Sequence, residues 1–308
     1  MDISVIIVSW NAKKYLLDCL HSIVPELSNV QAEIIVVDNA SSDGSPELVE
    51  KQFPKINLIC NKENLGFAKA NNIALEKSTG KYICLINSDV VIKEKCFDVL
   101  ISYMDSHPDV GMMGPQILDT TGNIQRSCMQ LPTLWNTFCT AIVLDKLFPQ
   151  CRLFGGKEMT YWNHDSLQEV DVINGCFWII RREALDQVGY LDGNFFMYGE
   201  DIDWCKRFQE KGWKIIFSPE AQAIHYGGAS SSNDPVRFYI EMNRANLQYY
   251  RKHYKKFSQI GFLMLIMLHH VVRIFFNSIY YFIKPHAREE KFFKLKRSLL
   301  VIKKMAFK

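Results

Sequence analysis

Residues 33–45 read Glu33-Ile34-Ile35-Val36-Val37-Asp38-Asn39-Ala40-Ser41-Ser42-Asp43-Gly44-Ser45. An apolar run ends abruptly in an acid. A turn of small polar residues follows, and Ser45-Pro46-Glu47 opens a helix, with Ser as its cap and Pro at its first position. An unbroken apolar run is a strand buried on both faces, as in a parallel sheet. The pattern recurs on either side. Ile3 to Ser9 is an earlier strand, followed by Tyr15, Leu16, Cys19, Leu20 and Ile23 at helical spacing. Asn57 to Cys60, Tyr82 to Ile86 and Val110 to Met113 are later strands, separated by helices over Phe67 to Lys77 and Glu94 to Met104. Alternation with short links predicts an α/β fold with a mostly parallel sheet flanked by helices. Such sheets bind ligands beyond the carboxyl ends of their strands. Polar residues gather there: Asn11, Asp38-Asn39, Asn61 to Gly66, and Asn87-Ser88-Asp89.

Residues 115–170 lack a clear period and read as a substrate-facing excursion. Its Arg126, Trp135 and Trp162 could stack on or clamp a substrate or simply pack. Order returns at Val170 to Ile173, Trp178 to Ile180, a helix over Arg182 to Val188, and a helix over Ile202 to Lys211 closed by Gly212. A short strand over Lys214 to Phe217 and an aromatic-rich helix over Phe238 to Tyr254 follow. Gln259 to Ile283 is long enough to span a bilayer, which takes about 20 residues. Yet it holds His269, His270, Arg273 and Asn277, and a central Arg costs about 2.5–3.5 kcal/mol there. An in-plane amphipathic helix is the preferred reading, with a helix packed on the main domain as the bland one.

The 308 residues are 48% hydrophobic and 22% charged, which excludes a disordered or low-complexity chain. A net charge of +3 gives no reason to expect nucleic acid as a partner. The charge is uneven. Between Lys284 and Lys308, nine Lys and Arg face only Glu289 and Glu290, so the tail is strongly basic and the body mildly acidic. The expected division is 1–232 as a catalytic domain and 233–308 as a helical, amphipathic and basic extension that touches the membrane surface. Nine cysteines without paired spacing indicate reduced thiols, and Met1-Asp2-Ile3 leads into a strand without a leader pattern. A cytoplasmic protein, peripheral on the inner face of the membrane, is expected.

Five motifs carry chemistry. Asp38, straight off a buried strand, can accept from a base N–H or a ribose hydroxyl, whereas Asp43 reads as a helix cap. Gly66, in Asn64-Leu65-Gly66-Phe67 with Asn71-Asn72 beyond, opens a helix N-terminus that favours anions. Asn87-Ser88-Asp89 is either a carboxylate turn for a hard cation or a plain polar turn. In Phe195-Phe196-Met197-Tyr198-Gly199-Glu200-Asp201-Ile202-Asp203, aromatics wall a loop that presents carboxylates at a helix start. Desolvation there makes a better base, and Asp203 should pair with Arg207 one turn on. His225, in Pro219 to Ser230, can ligate a metal or phosphate, although taken alone it reads as structural.

In this order the segments resemble the family 2 glycosyltransferases of the A-type (GT-A) nucleotide-sugar fold. They are closest to the rhamnosyltransferase-like branch of bacterial surface-polysaccharide synthesis. The resemblance covers residues 3–232, through Val8-Ser9-Trp10-Asn11, Val37 to Ser41 with Asp43-Gly44-Ser45, Asn64 to Phe67 with Asn72, Asn87-Ser88-Asp89, Phe195 to Asp201, and His225. It implies transfer of a sugar, rhamnose among the candidates, from a nucleoside diphosphate donor with inversion. The donor would be a dTDP- or UDP-sugar and the acceptor a saccharide, lipid-linked or free. It further implies that Asp38 contacts the nucleobase with Asn11 and Asn39 beside it. Gly66 and Asn72 would line the nucleotide pocket, with Asn87 and Ser88 in the donor-binding turn. Asp89 and His225 would hold Mg2+ or Mn2+, Asp201 would be the general base, and Glu200 its neighbour toward the acceptor. Asn87 stands where the family's usual metal motif begins with Asp. The rival readings are a non-catalytic nucleotide-sugar-binding homologue that positions a partner enzyme, a nucleotidyltransferase, and a membrane-binding scaffold. The last explains only the tail, and the N-terminal loop lacks the Gly-rich phosphate cradle of the second.

Overall fold

The computed structural model describes residues 1–227, 235–283, 286 and 288–306. In chain order the elements are β1 (Ile3–Ser9), α1 (Lys13–Glu26), β2 (Ala32–Asp38), α2 (Ser45–Gln52), β3 (Asn57–Cys60), α3 (Phe67–Leu75), β4 (Tyr82–Asn87), β5 (Val90–Ile92), α4 (Cys96–Ser106), β6 (Val110–Leu118), β7 (Ile124–Gln125) and β8 (Cys128–Met129). There follow α5 (Leu134–Ala141), α6 (Leu144–Leu147), β9 (Gln168–Glu169), β10 (Val172–Ile173), β11 (Phe177–Arg181), α7 (Arg182–Val188), α8 (Glu200–Glu210), β12 (Lys214–His225), α9 (Pro235–His253), α10 (Lys256–Ile283) and α11 (Arg288–Ala306).

The chain divides into two compact units, 1–129 with 163–233 and 130–162 with 234–308. The excursion thus contributes residues 130–162 to the unit of the C-terminal helices, instead of to the 1–232 stretch. The expected boundary at 232/233 lies outside the described residues.

The first unit is built on a mixed sheet of order β3-β2-β1-β4-β11-β6-β12-β5, with β7 on β6 and β9 on β12. β3, β2, β1 and β4 run parallel, β11 is antiparallel to both its neighbours, and β12 runs parallel to β6. The parallel half was readable because its strands are buried on both faces. Val5, Ile6 and Ile7 are fully buried, as are Ile35, Val36 and Val37. Helix α1 buries Leu16, Cys19, Leu20 and Ile23, the i, i+3, i+4, i+7 face that periodicity predicts. Helix α2 departs slightly from expectation: Gly44, at φ +77°, precedes it, Ser45 is its first residue and Pro46 its second. Asp43 accepts hydrogen bonds from the Lys13 and Ser45 N–H groups, so it ties the starts of α1 and α2 together.

The excursion is less irregular than its sequence suggests. Thr133 and Asn136 form a reciprocal cap for α5. The helix escapes a periodicity reading because it is rich in aromatic and β-branched residues, and its cap uses Asn where Glu or Gln is usual. In the second unit, α10 packs with α5, α9 and α11. Tyr250 stacks on Phe262 with ring centroids 4.0 Å apart. Among the described residues α10 alone is long and apolar enough to cross a membrane, with a mean hydropathy of 1.7 over its best window. All nine cysteines are free.

Candidate functional site

Four strand ends and one helix start build the site of the first unit. At the end of β2, Asp38 is buried and its Oδ2 accepts the Ser41 N–H at 2.9 Å, while its Oδ1 has no partner. A buried carboxylate oxygen without a donor is costly unless a ligand supplies one. The turn beyond it is unusual: Ala40 has φ +64°, and Asn11, at the end of β1, has φ +49°. Asn11 receives the Ser42 N–H at 2.8 Å, and its own N–H donates to Ser41 Oγ at 2.8 Å, so the two loops are stitched together.

Asn39 and Asn72 are occupied by the protein itself. The Asn39 amide bonds Asn61, Asn64, Leu65 and Gly66 and so shapes the loop that follows β3. Asn72 donates to the Leu191 carbonyl at 2.8 Å and accepts the Leu191 N–H at 3.1 Å. Gly66 brings the loop and the aromatic motif into contact. The Phe67 N–H donates to the Phe196 carbonyl at 2.9 Å, and a Cβ on Gly66 would lie 2.4 Å from that same oxygen. With φ +81° and ψ 176°, position 66 has a conformation that essentially only glycine adopts.

The Asn87-Ser88-Asp89 turn is short because β5 begins at once. Strand β5 pairs antiparallel with the end of β12, setting His225 opposite Val90. His225 Nε2 comes to 3.3 Å from Asp89 Oδ1, and His225 Nδ1 lies 2.9 Å from Gln125 Oε1. With the amide oxygen as acceptor, Nδ1 carries the proton, and the Nε2 lone pair faces a carboxylate oxygen. Two acceptors so placed can share a divalent cation. The carboxylate suits Mg2+ or Mn2+, whereas the imidazole tilts the pair toward the transition metal, provided that a substrate diphosphate and water complete the shell. Among the described residues no group of three or more His, Cys, Asp or Glu could hold a metal by itself. Of the Gly227-Gly228-Ala229-Ser230 loop, the residues from Gly228 on lie outside the described residues.

Helix α8 starts at Glu200, after Tyr198 at φ +68° and Gly199 at φ +80°. Trp204 anchors it, edge-on to Trp178 at 5.4 Å, with Nε1 donating to the Gly189 carbonyl at 2.8 Å. The expected pair forms: Arg207 Nε lies 3.0 Å from Oδ2 of the fully buried Asp203. Glu200 is buried, and Oε2 has no partner. Burial pushes its carboxyl up to about 8, and the adjacent Asp201 charge adds to the rise. Asp201 is half-buried and accepts the Ile202 N–H at 2.8 Å. Burial raises its carboxyl too, while the N–H groups of Ile202, Gly175 and Gly199 restrain the rise. The two adjacent carboxyls are both pushed upward by burial, Glu200 to about 8, so the protons they carry belong to the pair.

Gly175 and Cys176 were not singled out by the sequence, yet they join the two halves of the site. The Asn87 N–H donates to the Cys176 carbonyl at 2.9 Å, and Gly175 donates to Asp201. The buried Cys176 thiol feels both Asp89 and Asp201. Nothing local marks this turn. Its importance comes from β11 inserting between β4 and β6, a long-range pairing.

Known proteins share this plan. The solved mannosyltransferase PcManGT from Pyrobaculum calidifontis, in complex with GDP-Man and Mn2+, aligns with a TM-score of 0.55 at 16% identity, over 99% of this chain and 74% of that one. The N-acetylglucosaminyl-diphospho-decaprenol L-rhamnosyltransferase of Mycobacterium tuberculosis is 27% identical over 228 residues, 66% of this chain and 69% of that protein. The low-salt glycan biosynthesis hexosyltransferase Agl10 of Haloferax volcanii is also 27% identical over 228 residues, 73% of this chain and 67% of that protein. The model of glycosyl transferase family 2 matches residues 4–189, which takes in β1 through α7 and the Asp38 and Asp89 turns. With its A-type sheet and these strand-end residues, the chain belongs to glycosyl transferase family 2.

Proposed function

We propose that the chain is an inverting transferase that moves a hexose-type sugar from a dTDP- or UDP-linked donor to a saccharide carried on a lipid diphosphate. The observation that carries this reading is the 175–176 turn, which ties the half-buried Asp201 to the Asp89 turn. A base thereby stands near the place where a donor diphosphate would sit. The acceptor hydroxyl attacks the anomeric carbon, and its proton passes to Asp201. The bond from that carbon to the diphosphate oxygen breaks, and its electrons leave with the nucleoside diphosphate. One displacement inverts the configuration, so one base suffices. Glycoside hydrolases, by contrast, work with two carboxyl groups.

Each remaining residue has a part in this reading. Asp38 Oδ1 takes the missing donor from the nucleobase or ribose, with Asn11 bracing the turn and Asn87 and Ser88 facing the diphosphate. Asn39 and Asn72 act by holding the Gly66 and Leu191 loops in place. In this reading Glu200 is the protonated member of the pair, which keeps a second negative charge away from the leaving group and leaves Asp201 as the base. Asp89 and His225 would hold Mg2+ or Mn2+, which when bound neutralises charge on the departing diphosphate. The lipid-linked acceptor follows from the mycobacterial relative, whose name specifies one, and from the apolar second unit. Work at the cytoplasmic face of the membrane fits both.

The test is to incubate the full chain with dTDP-rhamnose, UDP-hexoses and GDP-mannose, together with a lipid-linked saccharide extract. A heavier lipid-linked product, with nucleoside diphosphate released in equal amount and inverted linkage by NMR, is expected. Donor binding without any product would favour the non-catalytic homologue.

A further inference from the structure

Helix α10 is inside out. At about 100° per residue, Phe257, Ile260, Met264, Val271, Phe275 and Phe282 fall on one stripe. They are exposed, from 47% for Ile260 to 84% for Phe257. The opposite face carries the polar residues Gln259, His270, Arg273 and Asn277 beside the buried Phe262 and Ile266. His270 is fully buried, edge-on to Tyr239 of α9 at 5.8 Å. Water-soluble helices bury the apolar face and expose the polar one. The reverse arrangement belongs to helices whose outer solvent is lipid.

Length alone would allow α10 to cross a bilayer, but its inner face is occupied along most of its course. Phe262 stacks on Tyr250 of α9 near one end, and Lys291 of α11 sits over the Tyr280 ring at 5.6 Å near the other. The helices supplying these contacts carry exposed charge, Arg251 on α9 and Lys296, Lys303 and Lys304 on α11. Spanning would drag those charges into hydrocarbon. A helix lying in the membrane plane puts lipid on one face and charged helices on the water side. The start of α10 adds exposed Lys255 and Lys256, the sign that suits anionic headgroups.

We propose that α10 lies along the surface of an anionic bilayer leaflet with its Phe257–Phe282 stripe among the acyl chains. This rests on the membrane-surface reading above and specifies its geometry. Full-length protein is sedimented with phosphatidylcholine vesicles, with and without phosphatidylglycerol. Strong pelleting with the anionic vesicles is expected, falling at least tenfold in the Met264→Asp/Phe275→Asp variant, while its circular dichroism and its thermal shift with donor nucleotide stay unchanged. In inverted inner-membrane vesicles, a membrane-impermeant maleimide then probes Lys256→Cys and Arg288→Cys, each in a Cys60→Ser/Cys151→Ser background. Both ends should react from outside without detergent. Failure of the wild type to pellet would overturn the membrane reading together with this proposal. Unchanged pelleting of a folded double variant, or one end protected until detergent is added, would overturn the in-plane stripe alone.

Discussion

Asp89 Oδ1 and His225 Nε2 stand 3.3 Å apart, although one follows β4 and the other ends β12, far along the chain. The β5–β12 pairing makes this approach, and the Tyr226 N–H reinforces it by donating to the Asp89 carbonyl at 3.0 Å. Gln125 turns the imidazole so that its second nitrogen faces the carboxylate. In the proposed reading the paired ends of β5 and β12 present Asp89 and His225 as two metal ligands and leave the remaining positions to substrate.

Removing either ligand should weaken metal-assisted nucleotide binding without unfolding the sheet. Gln125→Ala, which only loosens the orientation of the ring, is expected to lose about 10–100-fold in Mn2+-dependent affinity for the preferred nucleoside diphosphate. Asp89→Ala and His225→Ala, which each remove a direct ligand, should lose more. Calorimetric titration with and without Mn2+ reads all three.

Glu200 makes stability depend on pH. Its carboxyl sits near 8 in the folded chain because of burial, against about 4.5 when exposed. From about pH 4.5 to about 8 the unfolded chain has lost this proton and the folded chain keeps it, so this group's contribution to stability falls as pH rises through that window. Glu200→Gln, which cannot ionise, should flatten the slope and melt higher than wild type at pH 8. A set of melting curves across that range checks the sign.

The Asp203–Arg207 pair is a place where half a deletion hurts. Arg207→Met leaves a fully buried carboxylate without its cation and should cost about 3–5 kcal/mol in urea unfolding. Adding Asp203→Asn should restore a good part of the loss. A double-mutant cycle with no coupling would mean that Asp203 is held mainly by its other partners.

Gly66 and Gly44 separate close packing from backbone conformation. A methyl group at 44 meets nothing nearer than Lys13 Nζ at 3.5 Å, whereas at 66 it would lie 2.4 Å from the Phe196 carbonyl. Gly44→Ala should cost about 1–2 kcal/mol for its left-handed backbone. Gly66→Ala should cost more and also displace Phe196 and the loop before Glu200, lowering turnover. Equal melting temperatures for the two variants would contradict this contact.

Much of this was legible because local patterns carried it. The doubly buried strands β1, β2 and β4 announce themselves by unbroken apolar runs, and their polar ends mark the site. The Asp203–Arg207 pair follows from helical spacing alone. Long-range pairing stayed hidden. Strand β12 reads as ending at Phe217, because Ser218-Pro219-Glu220 interrupts it. In the fold a shift of register between Ser218 and Gln222 absorbs the interruption and the strand continues to His225. Gly175 carries no local signal, and only the insertion of β11 sets it against Asp201. Asn39 and Asn72 read as ligand groups, since an amide that holds a loop and one that holds a nucleotide look alike in one dimension.

The measurement closest to the central claim is single-turnover transfer by wild type and Asp201→Asn, with nucleotide-sugar affinity measured on the same preparations. With Asp201 as the base, the variant's rate should fall by about 10²–10⁴-fold, with donor affinity essentially unchanged. Transfer by Asp201→Asn at the wild-type rate would contradict it and move the base to another residue.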